Sequence, residues 1–338
     1  MLNNQDFAQS KTKSLGQSTL GQVLAFPRSK DQLNAQSNPY QEARKRILET
    51  IVKIEGAYAP ATIRAYRSNF EFFINYCEEQ NLDPLPCTPT TLAAYIFHLS
   101  NQNLKSASIR LAAVSVAAIH RFNRMNDPSK DPDVILELRR MFRKLGRHQS
   151  QAAAINKDAL ESLIGATDHT LRGYRDRALL LTAYDSLCRR SELAALRVED
   201  LTNVQNGIGI QIRLRKSKAD QDAHGQWISL SERTHLAIED WLKESKINSG
   251  FLFRGITKYD TPTQEIAGAQ INRIYKQLAA KADMNPSLVQ HISGHSLRVG
   301  SAQDLLASGA SMPMIMNRGR WSKVDTVMRY VENVQLCI

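Results

Sequence analysis

The sequence has few of the features that mark secreted, membrane-bound or metal-binding proteins. Its four cysteines are spread widely over 338 residues and include no C-x-x-C pair. A disulfide framework needs densely placed cysteines and a zinc site needs paired ligands, so we expect free thiols and no metal site. The four cysteines are Cys77, Cys87, Cys188 and Cys337.

Signal peptides and long apolar runs are missing as well. The first residues lack a basic region followed by an apolar one. No stretch approaches the roughly 18 uncharged apolar residues that a membrane helix needs. We therefore expect a cytoplasmic protein with no membrane partner.

Positive charge is what the sequence has in excess. It contains 44 Lys and Arg residues against 33 Asp and Glu residues, a formal net charge of +11. A basic surface attracts polyanions, and contacts to phosphate release counterions, so nucleic acid is the first partner to consider. Many basic proteins bind no nucleic acid, and charge alone leaves that alternative open.

Composition and periodicity divide the first half into an arm, a domain and a linker. Residues 1–39 are rich in Gln, Ser and Asn and too poor in apolar residues to form a core, which predicts a flexible arm. Apolar residues recur at helical spacing over residues 40–146, a pattern typical of a compact helical bundle. Gly146 ends this pattern, and residues 147–154 are predicted to be a linker.

Within the bundle, Thr88 followed by Pro89 predicts a helix start, and Ser106 is a second candidate N-cap. The polar helix faces are basic. Each such position is usually solvated surface, but their accumulation toward residues 143–154 favours a side that faces DNA. The candidate DNA-binding residues are Lys105, Arg110, Arg121, Arg124, Arg139 and Arg143.

The second half, residues 155–338, is predicted to be a mostly helical domain with a small antiparallel sheet. Helical periodicity extends from about residue 157 to 196. Residues 209–214 then alternate like a half-buried strand, and residues 227–230 are a candidate partner across a polar loop. Helices resume at Glu232 and continue to the end of the chain.

Four features of this half have a bearing on chemistry. Arg189 and Glu192, three residues apart, share one helix face, with Ser186 as a candidate cap. Lys218 lies in the polar turn after the first strand, and Lys216 is its alternative. His295 and Arg298 have the same three-residue spacing in the first turn of a helix to about residue 308, where an anion is favoured. Each feature alone is usually structural.

The fourth feature is the pair Trp321 and Tyr330. Ser322 and Asp325 resemble a capping box that opens the last helix. The predicted buried stripe of this helix contains Val324, Val327, Met328 and Val331. Tyr330 lies roughly 110° from the centre of that stripe. This position suits a phenol that faces a ligand, although a boundary tyrosine is the commoner reason for it.

Taken as a set, these residues match the requirements for breaking a phosphodiester without metal. Arg189 and Arg298 can each offer a planar fork of donors to phosphate, and His295 and the Trp321 indole N–H can add further donors. Tyr330 can be the nucleophile and Lys218 the acid that protonates the leaving oxygen. The sequence shows no carboxylate cluster for magnesium, so we expect neither a metal nor a cofactor.

The order of these residues and their local contexts resemble the tyrosine recombinase (phage integrase) family, most closely its Cre-like branch, over about residues 40–338. The contexts that carry the resemblance are Arg189-x-x-Glu192-Leu193-Ala194, Gly294-His295-Ser296-x-Arg298-Val299-Gly300, Gly319-x-Trp321 and Val327-Met328-x-Tyr330. Trp321, where many members have histidine, favours the Cre-like branch.

The resemblance implies a SAM-like helical core-binding domain and a catalytic domain that grip opposite sides of a DNA duplex. Arg189, Lys218, His295, Arg298 and Trp321 would surround the scissile phosphate, with Glu192 at the acidic supporting position. Tyr330 would join the 3′ phosphate and release a 5′ hydroxyl. Four protomers would synapse two inverted-repeat sites and recombine them through a Holliday junction. A protein with this activity would be associated with the nucleoid.

The sequence departs from the family pattern at both ends, and both differences bear on how protomers assemble on DNA. Eight residues, 331–338, follow Tyr330, whereas relatives usually have a longer terminal helix that docks into a neighbouring protomer. Either Val331, Val334 and Leu336 form a shorter docking segment, or the tetramer assembles differently. The arm before residue 40 is too short for the arm-type DNA-binding domain of some phage integrases.

Three other functions are alternatives. A type IB topoisomerase and a telomere resolvase share the tyrosine chemistry and differ in whether strands are exchanged. A catalytically silent DNA-binding protein would keep the clamp without the reaction.

Overall fold

A computed structural model describes residues 38–147, 151–203, 209–215 and 225–331. The chain divides into two compact units between residues 149 and 150. Helices dominate both units, and the second also contains a three-stranded antiparallel sheet. The predicted fold class is thereby confirmed.

Five α-helices build the described part of the first unit, and several of them begin at a proline. Thr88 caps the third helix by accepting a hydrogen bond from the Thr91 N–H at 3.1 Å, with Pro89 as the first helical residue, as predicted. The fourth helix begins at Ser106, so the cap position belongs to Lys105 and the prediction of a Ser106 cap is wrong. The helices are α1 (Pro39–Ile54), α2 (Pro60–Gln80), α3 (Pro89–Ser100), α4 (Ser106–Phe122) and α5 (Pro132–Leu145).

The core of the first unit is formed where these helices turn their apolar faces toward one another. Phe70 and Phe73 of α2 are fully buried, and the Phe73 ring lies 5.0 Å from the Tyr95 ring of α3. His120 of α4 is also fully buried, and its Nε2 accepts a hydrogen bond from the Cys87 N–H at 2.9 Å. This histidine is therefore part of the core.

The second unit opens with three helices, which together cover the helical region predicted over about residues 157–196; the periodicity did not predict the break after residue 165. Thr170 is the N-cap of the second helix, and its hydroxyl accepts a hydrogen bond from the Gly173 N–H at 3.3 Å. Leu187 ends that helix in the left-handed conformation, at a φ of 48°. The three helices are α6 (Lys157–Gly165), α7 (Leu171–Ser186) and α8 (Arg190–Ala195).

The sheet has the order β1-β2-β3, with β1 (Leu201–Asn203), β2 (Ile210–Leu214) and β3 (Gln226–Leu230). Ile212 of β2 lies opposite Ile228 of β3, which confirms the predicted pairing. The sequence did not predict β1, because three residues are too few to show a period of two.

Six further α-helices follow the sheet in the part of the second unit that the structure describes. Ser231 caps the first of them by accepting from the Thr234 N–H, so helices resume at Glu232 as predicted. The last three surround a small separate core that contains Ala302, Ile315 and Val327. The helices are α9 (Glu232–Ser245), α10 (Gly268–Lys281), α11 (Pro286–His291), α12 (Ser296–Ala307), α13 (Met312–Gly319) and α14 (Val324–Val331).

Candidate active site

The turn between α7 and α8 places the first candidate arginine. Arg189 is the N-cap residue of α8, and Glu192 is the third residue of that helix. Ser186, predicted to cap this helix, is instead the last residue of α7, and its hydroxyl accepts a hydrogen bond from the Cys188 N–H at 3.2 Å. The left-handed Leu187 reverses the chain between the two helices, which is why the cap falls three residues later than predicted.

Glu192 is buried and holds two arginines. Its Oε1 accepts from Arg189 Nη1 at 2.7 Å, and its Oε2 accepts from the Arg189 backbone N–H at 2.8 Å and from Arg320 Nη2 at 3.2 Å. Burial alone would raise the pKa of this carboxyl. The backbone hydrogen bond and the charges of Arg320 and Arg189 outweigh burial and hold the pKa below its ordinary value, so Glu192 is ionised at neutral pH.

His295 and Arg298 both belong to the start of α12, as predicted: His295 is its N-cap residue and Arg298 is in its first turn. Arg298 is 1% exposed. Its guanidinium donates to the carbonyl oxygens of Leu187 and Gly319, and so connects the α7–α8 turn to the end of α13. A guanidinium has five N–H groups, so these two bonds leave three that can serve a phosphate.

Arg298 and His295 differ in their charge at neutral pH. Burial and the neighbouring charges of Arg189 and Arg320 lower the pKa of Arg298 to about 10, which still leaves it charged at pH 7. The pKa of His295 is lowered by partial desolvation and by the charges of Arg298, Arg189 and Arg190. The imidazole is therefore neutral at pH 7, with one ring nitrogen that donates and one that accepts.

Trp321 and Tyr330 lie beside Arg298. The Arg298 Cζ atom is 4.2 Å from the centroid of the Trp321 ring, and the Trp321 and Tyr330 ring centroids are 5.5 Å apart. Trp321 belongs to the small core of the last three helices, and Tyr330 packs against that core while remaining half-buried. The structure thus brings together Arg298, Trp321 and Tyr330, which are separated by up to 32 residues in the sequence.

The buried stripe of α14 is narrower than predicted. Val327 and Val331 are buried, but Val324 and Met328 are each about half exposed. Tyr330 accepts a hydrogen bond at its backbone carbonyl from Gln303 Nε2 of α12, at 2.9 Å. This bond ties the helix that carries Tyr330 to the helix that carries Arg298.

Lys218 and its alternative Lys216 lie outside the described residues. The six candidate DNA-binding residues of the first unit are all described and all exposed. Arg110 and Arg121 are eleven residues apart on α4, about three turns, and therefore share one face. Arg121 forms an ion pair with Asp127 at 2.5 Å, so part of its charge is neutralised within the protein.

Sequence reasoning missed Arg320 and Gln303. Arg320 stands at the variable position of the Gly319-x-Trp321 context, and Gln303 lies two turns beyond His295 on α12. A charged residue beside a candidate site residue was a possible signal for Arg320. The contacts of both depend on segments distant in sequence, which no local pattern reveals.

The described part of the chain shows neither a cluster of metal ligands nor a membrane-spanning helix. No group of three or more His, Cys, Asp or Glu residues there is placed to hold a metal ion. No helix there combines the length and apolarity needed to cross a membrane.

Family models match both units. Residues 49–125 match the phage integrase N-terminal SAM-like domain, and residues 153–335 match the phage integrase family. Among individual proteins, the chain is 28% identical over 290 residues to an integrase/recombinase XerD homolog of Selenomonas ruminantium, covering 83% of this chain and 84% of the relative. It is 26% identical over 311 residues to the Cre recombinase of Escherichia phage P1, covering 87% and 90%.

Solved structures show the same fold. The XerH site-specific recombinase, solved in a post-cleavage complex with a palindromic difH substrate, matches with a TM-score of 0.60 at 13% identity. That match covers 85% of this chain and 80% of the XerH chain. Since the catalytic-domain model alone spans more than half of the sequence, this chain belongs to the phage integrase family of tyrosine recombinases.

Proposed function

We propose that this protein is a site-specific DNA recombinase that cuts and rejoins DNA strands through a covalent bond on Tyr330. The observation that carries the proposal is the cluster of Arg298, Trp321 and Tyr330, contributed by separate elements of the second unit. Arg189, held by Glu192, is linked to the same cluster because Arg298 donates to the carbonyl of Leu187, two residues before Arg189.

The proposed step is a transesterification. The Tyr330 oxygen attacks the scissile phosphorus, a bond forms between them, and the bond from phosphorus to the 5′ oxygen breaks. The product is a 3′-phosphotyrosine, and the free 5′ oxygen takes a proton from Lys218. Religation is the reverse reaction with the 5′ hydroxyl of the partner strand, so no cofactor is needed to store the bond energy.

Arg189 and Arg298 are the proposed donors to the non-bridging oxygens. Fixed guanidinium groups stabilise the charge that develops on phosphate, and they need no reorganisation during the reaction. Neutral His295, at the start of α12, adds a donor or accepts the phenol proton. The Trp321 indole N–H is the remaining proposed donor.

The remaining parts of the proposal concern DNA binding and assembly. The first unit, with its exposed basic residues on α4 and α5, is the proposed core-binding domain, and the second is the catalytic domain. The partner is double-stranded DNA with an inverted-repeat site, recombined by a homotetramer on two synapsed sites through a Holliday junction. The Cre and XerD resemblance and the palindromic substrate of the XerH structure support this assignment.

Covalent trapping tests the proposal. Purified protein is mixed with fragmented DNA of its own replicon in metal-free buffer, the mixture is denatured, and DNA still attached to protein is sequenced. We expect adducts at an inverted repeat with the wild type and none with Tyr330→Phe, which should still bind the same DNA.

The outcomes separate the alternatives. Normal binding without wild-type adducts would indicate a silent DNA-binding protein. Adducts accompanied by relaxation of supercoils, with no exchange between two sites, would indicate a topoisomerase. Adducts that resolve to closed hairpin ends would indicate a telomere resolvase.

A further inference from the structure

Arg320 is a charged residue buried beside the proposed catalytic cluster. Its side chain is only 5% exposed, and its backbone is left-handed, with a φ of 56°. A buried charge is costly unless it is paired and hydrogen-bonded. The groups that pair with the buried Arg320 guanidinium therefore indicate its structural role.

Apart from a local hydrogen bond from Nη1 to the Arg318 carbonyl at 3.3 Å, the side-chain contacts of Arg320 lie on the α7–α8 segment, more than 120 residues earlier in the chain. Arg320 Nη1 donates to the Ser186 carbonyl at 3.0 Å, and Nη2 donates to the Leu187 carbonyl at 3.2 Å. Nη2 also lies 3.2 Å from Glu192 Oε2 and 3.5 Å from the Cys188 sulfur. One guanidinium thus joins the turn before Trp321 to the turn before Arg189.

Two of these acceptors are shared with the proposed phosphate-binding arginines. The Leu187 carbonyl accepts from both Arg298 and Arg320, and the Glu192 carboxylate accepts from both Arg189 and Arg320. Whatever fixes Leu187 and Glu192 therefore fixes Arg298 and Arg189. Arg320 contacts both.

We propose that Arg320 is a positioning residue that holds Glu192 and the Leu187 carbonyl in place, so that Arg189 and Arg298 are aligned for phosphate. This inference rests on the proposed function and deepens it. Arg320 itself is enclosed by protein and does not need to touch DNA to have this effect.

The charges around Glu192 give the proposal a signature in pH. Arg189 and Cys188 face its carboxylate from the α7–α8 turn, Arg320 from the turn before α14, and Arg298 and His295 from the start of α12. Arg320 is one of the cations that keep the Glu192 pKa low against the effect of burial. Without Arg320, fewer positive charges offset the effect of burial, so the pKa of Glu192 rises. The carboxylate is then protonated, and releases Arg189, at a higher pH.

Three variants test this role. Arg320→Gly removes the side chain and places glycine at a left-handed φ, where it is unstrained, so the variant is expected to fold. Arg320→Lys keeps the charge but cannot serve several acceptors with a planar fork. Arg318→Ala is the matched control, because Arg318 also donates to the end of α7, at the Asp185 carbonyl, without contacting Glu192.

The first measurement is the single-turnover rate of adduct formation on the DNA fragment recovered by trapping, at saturating protein and from about pH 4 to 8, a range that includes the ordinary pKa of a glutamate. We expect Arg320→Gly to lower the rate at pH 7 by roughly 100-fold, the usual size of a small misplacement at a reacting centre, with unchanged affinity. Its acid limb should move to higher pH. Arg320→Lys should recover part of the rate, and Arg318→Ala should keep the wild-type profile.

A wild-type rate in Arg320→Gly, or a lower rate with an unshifted acid limb, would overturn the positioning role. A lower rate with an unshifted acid limb would mean that Arg320 only stabilises the fold.

The second measurement needs no DNA. All three tryptophans lie in the second unit, so their fluorescence follows its unfolding in urea. In a cycle of Arg320→Gly, Glu192→Gln and the double variant, we expect the two effects to be coupled, and strict additivity would overturn the Arg320–Glu192 link. Absence of adducts with the wild type would overturn the proposed function itself, and the cycle would still decide whether Arg320 holds Glu192.

Discussion

The guanidinium of Arg298 lies against the ring of Trp321, with 4.2 Å from Cζ to the ring centroid. A cation over an aromatic face is attracted by the ring, and more strongly when both are withdrawn from water, as they are at this contact. Because the Trp321 ring also neighbours the Tyr330 ring, the position of the proposed nucleophile depends on the arginine. The site is one packed unit, and its members are expected to respond together to substitution.

Arg298→Ala is expected to lower strand cleavage by about 10²–10³-fold, the usual loss for one preorganised donor. It also leaves the Leu187 and Gly319 carbonyls without this donor, so the second unit should lose stability. Adduct formation and tryptophan fluorescence in urea measure the two effects. A near-wild-type cleavage rate would remove Arg298 from the site.

Gln303→Met is expected to slow cleavage by roughly 5-fold while leaving DNA affinity unchanged. The variant removes the donor to the Tyr330 carbonyl, a bond typically worth about 1 kcal/mol, and keeps a side chain of similar length. The rate of adduct formation at saturating DNA is the measurement. Weaker binding with an unaltered rate would show that the bond does not fix α14.

Gly300→Ala is expected to destabilise the second unit, because an added Cβ would lie 1.9 Å from the Ile155 carbonyl oxygen. Overpacking of this kind costs about 1–3 kcal/mol, or more where backbone must move. Gly165→Ala is the control: its Cβ would meet nothing within 4 Å, and it lies in α6, where alanine is favoured. Urea unfolding should separate them, and equal midpoints would contradict the close approach of α12 to residue 155.

The first unit is expected to lose stability as the pH falls below about 6.5, the ordinary pKa of histidine. Burial lowers the pKa of His120 in the folded protein, so below pH 6.5 the unfolded chain binds a proton that the folded chain excludes. The stability that neutral His120 contributes is therefore present above pH 6.5 and is lost as the pH falls toward the folded pKa.

Hydrogen exchange at the Cys87 amide, which donates to His120, should report this loss. His120→Gln keeps an acceptor and removes the titration, so its exchange should respond less to pH over this range. An identical pH response in the variant would assign the effect to another group.

DNA affinity is expected to fall steeply with salt, since the proposed contacts are largely to phosphate. Arg139→Gln combined with Arg143→Gln, on one face of α5, should reduce the slope of log K against log salt by roughly 2. Arg44→Gln with Arg46→Gln is the control of equal charge, because those arginines form ion pairs with Glu78 and Glu42. Equal slopes for both pairs would exclude α5 from the interface.

Local signals in the sequence predicted those parts of the fold that depend on local interactions. Thr88 and Pro89 specify a helix start whatever surrounds them, and the period of two in β2 requires one buried face. The break after α6 was not predicted, because helical periodicity continues across it. The helix start predicted at Ser186 falls three residues later, because Leu187 is left-handed. The left-handed turn at Leu187 is stabilised by contacts that come from Arg298 and Arg320.

For the site, the order and spacing of Arg189, His295, Arg298, Trp321 and Tyr330 determined the family and the candidate chemistry, because those residue types are what phosphoryl transfer to tyrosine requires. The tertiary structure decided how they are held. Arg298 is enclosed by two carbonyls and an indole ring, and Glu192 is shared between Arg189 and Arg320. The bonds from Arg298 to Leu187 and from Arg320 to Glu192 join segments more than a hundred residues apart, and only packing brings their atoms within hydrogen-bonding distance.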